Sequence, residues 1–342
     1  MFFVLKISQL GGYSYPLMGI WLILQFIFAT GWGFLSDYFS RKAILSLCII
    51  GKMAGLLLIF GESILSAIII DGIFGNINPV ARAAYCDVHI SQKRVPNIIN
   101  TFLVQPIPWI LFSLFSPTNF SFMIIVSFLA ISLILVFTLF IDFRDRAVIK
   151  LSSARKVFRY ELLMVALAFL LMNSQWWVLL HILEQRHLFD EFAGNLFLIN
   201  GISFFLGAFI ARMLNLGIEK SIVLIFFLIF STILLNACFS WVYSDKLNIS
   251  VDLMLHFTLL GGIGQPLIYG LFGKGMAVHE QGTAYGLLES VQFLSEILWV
   301  GFLTTLKAIN LEYCYAILIS ISALSLILTW AGLRKKLTQI KN

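Results

Sequence analysis

Charge is scarce in this chain: Asp, Glu, Lys and Arg together make up 12% of its 342 residues, against 60% hydrophobic side chains. A soluble globular chain of this size has too little interior to hide that much apolar surface, so its solvent is lipid. Cysteine is equally sparse. Cys48, Cys86, Cys238 and Cys314 lie far apart, in or beside apolar runs, without metal-ligand spacing, and read as small apolar side chains. The chain has no glycine loop with a phosphate-binding lysine, no paired metal ligands and no nucleophile elbow. Enzyme chemistry, a metal and a cofactor are therefore not expected. The net charge of +6 does not point to nucleic acid, because the cations fall in the loops between apolar runs.

What the chain has in abundance is apolar runs of about 20 residues, each long enough to span a bilayer. They are read as Leu17–Leu35, Ala43–Phe60, Ile64–Tyr85, Asn97–Phe115, Phe120–Ile141, Tyr160–Leu183, Phe192–Leu214, Ile222–Tyr243, Val251–Gly273, Ala284–Leu306 and Tyr313–Leu333. Seventeen of the 23 Lys and Arg residues lie in the loops on one side, four lie on the other, and Lys52 and Arg82 lie inside spans. That bias puts the seventeen, and the C-terminus, in the cytoplasm of a plasma (bacterial inner) membrane. Residues 142–159 are the longest polar stretch, a cytoplasmic linker between an N-terminal bundle (1–141) and a six-helix C-terminal bundle (160–342). Met1–Leu10 is apolar but too short to cross, and reads as the outer end of a helix whose beginning is missing, through a late start codon or a lost 5′ end.

One compact stretch reads as a signature: Gly33-Phe34-Leu35-Ser36-Asp37-Tyr38-Phe39-Ser40-Arg41-Lys42. It resembles the loop between the second and third helices of major facilitator superfamily transporters, with Tyr38 where a cation is usual and Ser40 where a glycine is usual. The resemblance implies an all-α membrane protein of two pseudo-symmetric helical bundles, with 11 transmembrane helices here of an expected 12. It also implies a gating role for Gly33, Asp37, Arg41 and Lys42. In the family the acid helps latch the bundles on the inner side, and the two cations would sit at the anionic lipid surface. A second stretch, Glu280-Gln281-Gly282-Thr283-Ala284-Tyr285-Gly286-Leu287-Leu288-Glu289-Ser290, resembles the tenth-to-eleventh-helix connection of the tetracycline-efflux branch of drug–proton antiporters. The fifth-helix stretch Thr101–Ile110 keeps only the proline of that branch's glycine-rich pattern.

Polar residues inside spans are costly and mark cavities or partners. Asp71, Gly75, Asn78 and Arg82 are spaced i, i+4, i+7 and i+11, one polar stripe along a single helix. Asp71 and Arg82 are candidates for substrate binding or proton relay. The alternatives are a structural ion pair with a neighbouring helix, or an Arg82 that snorkels. Tyr285, Glu289, Gln292 and Glu296 share a face of the tenth span, and Glu289 and Glu296 are further proton-coupling candidates. Against that, Glu289 has the structural alternative of bonding neighbouring backbone. Asn173 and Trp177 share a face of the sixth span, and Thr258, Gln265 and Tyr269 share a face of the ninth. These residues and Asn78 are candidates for the cavity lining, or else for helix–helix hydrogen bonds and an interfacial aromatic belt. Lys52 is expected to pair with an acid that the sequence does not identify.

The expected function is secondary active transport of a small organic solute by alternating access, with proton-coupled efflux favoured. Metabolite uptake by symport, or a non-transporting remnant, are the alternatives. The expected partners are the solute, protons and membrane lipid, and the expected state is a monomer without nucleic acid.

Overall fold

The computed structural model describes residues 14–88, 94–114, 120–140, 160–173, 189–214, 218–242, 247–275, 280–306, 316–317 and 319–331. The regular elements among them are all helices. They are α1 (Ser14–Tyr38), α2 (Arg41–Phe60), α3 (Ile64–Phe74), α4 (Asn78–Val88), α5 (Arg94–Val104), α6 (Ile107–Leu114) and α7 (Phe120–Phe140). There follow α8 (Tyr160–Asn173), α9 (Phe189–Leu214), α10 (Ile218–Val242), α11 (Leu247–Gly275) and α12 (Gln281–Leu306), with α13 at Ile319–Ala331. Within the described residues, each of the eleven apolar runs corresponds to one helix or to a pair of short ones. The segments Pro16–Tyr38, Arg41–Phe60 and Ile64–Asp87 are each long and apolar enough to cross a membrane.

Two runs expected to be single helices are interrupted, and prolines explain both. Pro79 has no N–H to give the Gly75 carbonyl four residues back, and its ring crowds that carbonyl. The chain therefore leaves the helix at Gly75, and the Gly75 carbonyl accepts from the Ile77 N–H instead, at 3.1 Å. The stripe Asp71–Gly75–Asn78–Arg82 is thus divided between α3 and α4 rather than running along one helix, and Asn78 is exposed at the start of α4. Pro106 and Pro108 do the same to the next run, between α5 and α6. Pro266, by contrast, stays inside α11.

The helices pack as two compact units. The first gathers α1–α4, α7 and most of α12. Its core is Trp32, Ile44, Leu45, Cys48, Ile49 and Val80, with Phe74, Ile131 and Leu135 against it. Side-chain-free positions set the helix spacing. Gly51 receives the Phe74 ring, and Gly55 lies against Ala67 and Asp71. Gly72 receives Leu24. The turn between α2 and α3 is closed by Gly61 N–H to Leu57 O and Ser63 N–H to Leu58 O, both 2.9 Å, with Glu62 at φ 61°.

The second unit gathers α5, α6, α8–α11 and α13. Here Gly261 receives Asn173, Gly264 the Phe169 ring, and Gly262 the backbone of Phe204. The small residues of α11 let α8 and α9 approach closely, as in membrane helix packing generally. Large side chains left exposed, among them Leu129, Phe137 and Phe140 on α7 and Ile202, Phe209 and Met213 on α9, are apolar. That is the surface a lipid-facing helix needs.

Candidate functional site

Among the described residues of the first unit, three clusters of polar groups stand out. The first is built on the end of α1. Asp37 faces the N-terminus of α12, where helical N–H groups lack partners. Its Oδ1 accepts from Gly282 N–H at 3.0 Å, and its Oδ2 accepts from Thr283 N–H and Thr283 Oγ1, both at 2.7 Å. A carboxylate is favoured at that positive end. Arg41 joins the cluster through Nη2, 3.0 Å from Asp37 Oδ1, and through an ion pair from Nε to Asp87 at the end of α4. Arg41 Nη1 also donates to Ser36 Oγ at 2.9 Å, and Ser36 Oγ donates to Gly33 O at 2.8 Å. Arg41 is therefore buried among acids and not turned to lipid headgroups, because two carboxylates compete successfully for its guanidinium. Gly33 lies against the Gly282 carbonyl, and Lys42 is half-buried beside the cluster.

The second cluster lies one step further along the same two helices. Gly282, Gly286 and Ser290 recur every fourth residue on α12, facing Gly33, Ala29, Thr30 and Phe26 of α1. Ser290 Oγ donates to Phe26 O at 2.7 Å and lies 2.7 Å from Thr30 Oγ1. Beside this seam Arg82 of α4 is ion-paired with Glu289 of α12 through Nη1 and Oε1. Arg82 does not snorkel, and Glu289 is held by a side chain rather than by backbone. Both are buried. Glu296, two turns on, accepts from Gln292 Nε2 at 3.1 Å and is also buried.

The third cluster surrounds the α3–α4 break. Asp71 Oδ1 lies 3.1 Å from Lys52 Nζ, and Asp71 Oδ2 accepts from Trp21 Nε1 at 2.9 Å. Lys52 Nζ also reaches Gly75 O at 3.3 Å, the carbonyl to which Pro79 has no N–H to give. From α1, Gln25 Nε2 donates to Asp71 O at 2.8 Å and Trp32 Nε1 to Ile73 O at 2.6 Å. The break is thus supplied with donors by side chains of α1 and α2, which is how irregular backbone is tolerated at membrane depth.

In the second unit Thr258 Oγ1 donates to Asn200 Oδ1, Asn173 packs on Gly261, and Gln265 and Tyr269 are buried, the Tyr269 ring edge-on to Phe102 at 5.1 Å. Trp177 lies outside the described residues, as does the 142–159 linker. The structure so brings together Gly33, Asp37 and Arg41, then Arg82 with Glu289, and Asp71 with Lys52. Among the described residues no group of three metal-ligating side chains occurs.

No protein-family model and no curated protein sequence matches the chain. Solved structures do. The chain superposes on the human organic anion transporter MFSD10 (TETRAN) with a TM-score of 0.73 at 15% identity, covering 92% of this chain and 84% of that one. It superposes on a bacterial homologue of the iron transporter ferroportin, in an outward-facing state, with a TM-score of 0.67 at 12% identity, covering 96% and 93%. The chain has the major facilitator fold. At such identities the likeness is one of fold. With the apolar spans, it makes this an integral membrane protein. Three pairings in this chain escape a reading of the sequence: Arg41 with Asp87, Arg82 with Glu289, and Lys52 with Asp71. Only the last leaves a signal, because Lys52 and Asp71 lie at equal depths either side of the short turn at 61–63.

Proposed function

We propose that the chain is a proton-coupled secondary transporter that moves a small organic solute by alternating access, in the export direction. The observation that carries this reading is the broken helix at Gly75–Ile77 with a buried carboxylate, Asp71, beside it. Discontinuous membrane helices offer backbone and side-chain polar groups at the depth where transporters bind substrate and coupling ions. Asp71, Glu289 and Glu296 are the groups that would take the proton. Asp37 on the α12 N-terminus is the contact that would part and re-form, with the sequence halves 1–141 and 160–342 as the moving bodies. The chain would act as a monomer in a bacterial inner membrane, C-terminus in the cytoplasm, in contact with solute, protons and lipid.

A second reading, proton-driven uptake, draws support from the Lys52–Asp71 pair, since a proton on the acid would free a cation beside it. Transport by proteoliposomes under an imposed pH gradient tests both. Accumulation of a solute from a broad panel, abolished by Asp71→Asn or Glu296→Gln, supports proton coupling, and its direction relative to the gradient separates export from uptake. No movement of any solute overturns the transport reading.

A further inference from the structure

Gln281, the first residue of α12, is wholly buried, and both of its amide atoms, Nε2 and Oε1, lack a hydrogen-bond partner. Among the described residues it is the one amide side chain of which this holds. Gln25 leaves only Oε1 unpaired, its Nε2 donating to Asp71 O, and Asn76 leaves only Nδ2. Glu280, next to Gln281 in the chain, also buries one carboxylate oxygen, Oε1, without a partner. A glutamine amide offers two N–H donors and an acceptor oxygen, all of which water satisfies when the side chain is wet. Sealing it forfeits that hydration with no hydrogen bond in exchange.

The place of this residue gives the loss its meaning. The two residues that follow, Gly282 and Thr283, are those whose N–H groups Asp37 holds. Gln281 shares a face of α12 with Tyr285 and Glu289, about one and two turns on. That face meets α4, since Tyr285 Oη lies 3.8 Å from Cys86 Sγ and Glu289 pairs with Arg82. Lifting the first turn of α12 away from α1 and α4 breaks the hydrogen bonds to Asp37 and returns Gln281 to water. The two effects oppose each other.

We propose that Gln281 is a counterweight to the Asp37 latch, an amide buried without partners that keeps the contact of α12 with α1 weak enough to part. This rests on the alternating-access reading, in which that contact opens in every cycle. A solute or ion can shift two states only by its difference in affinity for them, so a latch that is too tight stays shut. The unsatisfied amide brings the two states closer in free energy. Methionine has nearly the shape of glutamine and no amide. Because Asp37 bonds backbone N–H groups and the Thr283 hydroxyl, Gln281→Met leaves the latch in place and removes what opposes it.

Hydrogen exchange of the full chain in detergent, read by mass spectrometry on a peptide containing Gly282 and Thr283, follows the latch. Those two amides exchange when Asp37 lets them go. Gln281→Met should slow their exchange at least about tenfold, a shift of roughly 1.4 kcal/mol in the opening equilibrium. The Gly61 and Ser63 amides, bonded to Leu57 O and Leu58 O in the α2–α3 turn, should exchange as before. Asp37→Ala should remove the protection of Gly282 and Thr283. Gln281→Leu gives the same comparison where the methionine variant does not fold. Unchanged or faster exchange in the Gln281 variants overturns the proposal, as does protection that survives Asp37→Ala. A slowing shared by Gly61 and Ser63 also overturns it, because Gln281 would then burden the whole fold and not the latch. In proteoliposomes, slower exchange accompanied by slower solute movement upholds the counterweight, and slower exchange with undiminished movement overturns it. A chain that moves no solute, while Gln281→Met still slows exchange, overturns the alternating-access reading and upholds the effect of Gln281 on the latch.

Discussion

Arg82 and Glu289 stand 207 residues apart in the chain and meet as a buried ion pair between α4 and α12. Both side chains are nearly sealed from solvent, Arg82 6% and Glu289 3% exposed. Removing one partner strands a buried charge, at about 3–5 kcal/mol, whereas replacing both with apolar side chains of similar volume is often neutral. Arg82→Met and Glu289→Leu should therefore each lower the melting temperature in detergent sharply, and the double variant should recover most of the loss. Losses that simply add would show that the pair is not coupled.

The seam between α1 and α12 depends on missing side chains. A methyl group at Gly33 would overlap the Gly282 carbonyl, and one at Gly286 would overlap the Ala29 carbonyl. Backbone cannot yield as a flexible side chain can, so Gly33→Ala and Gly286→Ala should each cost about 1–3 kcal/mol through overpacking. Gly31, two residues from Gly33, has nothing within 4 Å of where its Cβ would lie. Gly31→Ala should be neutral or stabilising by up to about 1 kcal/mol, because alanine is the better helix former. Melting curves of the three variants give the comparison. An equal effect at Gly31 and Gly33 would mean that the seam does not set the spacing.

Some of this was legible in the sequence, and the reasons are physical. Eleven spans and the helical fold follow from run length and hydropathy, which are local. The break after Phe74 was carried by Pro79, yet the polar stripe looked continuous because helical spacing says nothing about whether the helix persists. Asp37 could be singled out from its neighbours in the decapeptide, and its place opposite the start of α12 follows from the sidedness of the loops and the helix dipole, whereas its latching role comes from resemblance. The partner of Arg41 could not be read, because a cation beside a membrane face looks the same whether it meets lipid phosphate or Asp87. Arg82 and Glu289 each stood out as charges in apolar runs. Their pairing did not, since it depends on which distant helices touch.

The Lys52–Asp71 pair joins consecutive helices and makes a different stability prediction from Arg82–Glu289. Lys52 is partly open, so a bare Lys52 in Asp71→Asn retains some solvation, while Asp71 in Lys52→Gln keeps only the Trp21 hydrogen bond. A buried unpaired carboxylate is the costlier remnant. Lys52→Gln should therefore destabilise the full chain more than Asp71→Asn does, and the double variant should lie above Lys52→Gln. The reverse order in thermal melts would show that Lys52, not Asp71, is the buried charge.

Asp37 is bound to α12 by three hydrogen bonds from two consecutive residues, Gly282 and Thr283, although it lies 245 and 246 residues away from them. It supplies from another helix what a capping residue supplies from its own, worth about 1–2 kcal/mol. Asp37→Ala removes both acceptor oxygens, and with them all three hydrogen bonds, and leaves Arg41 with Asp87 and Ser36, so helix insertion should be intact while transport fails. Asp37→Asn keeps one acceptor oxygen but loses the charge that answers both the helix dipole and Arg41, and should fall between the two. Ser40 is exposed and makes no side-chain cap on α2, so Ser40→Gly should change neither quantity. Insertion is read from protease protection of vesicles and transport from proteoliposomes. Full transport by Asp37→Ala would mean that the contact with α12 serves packing and has no part in gating.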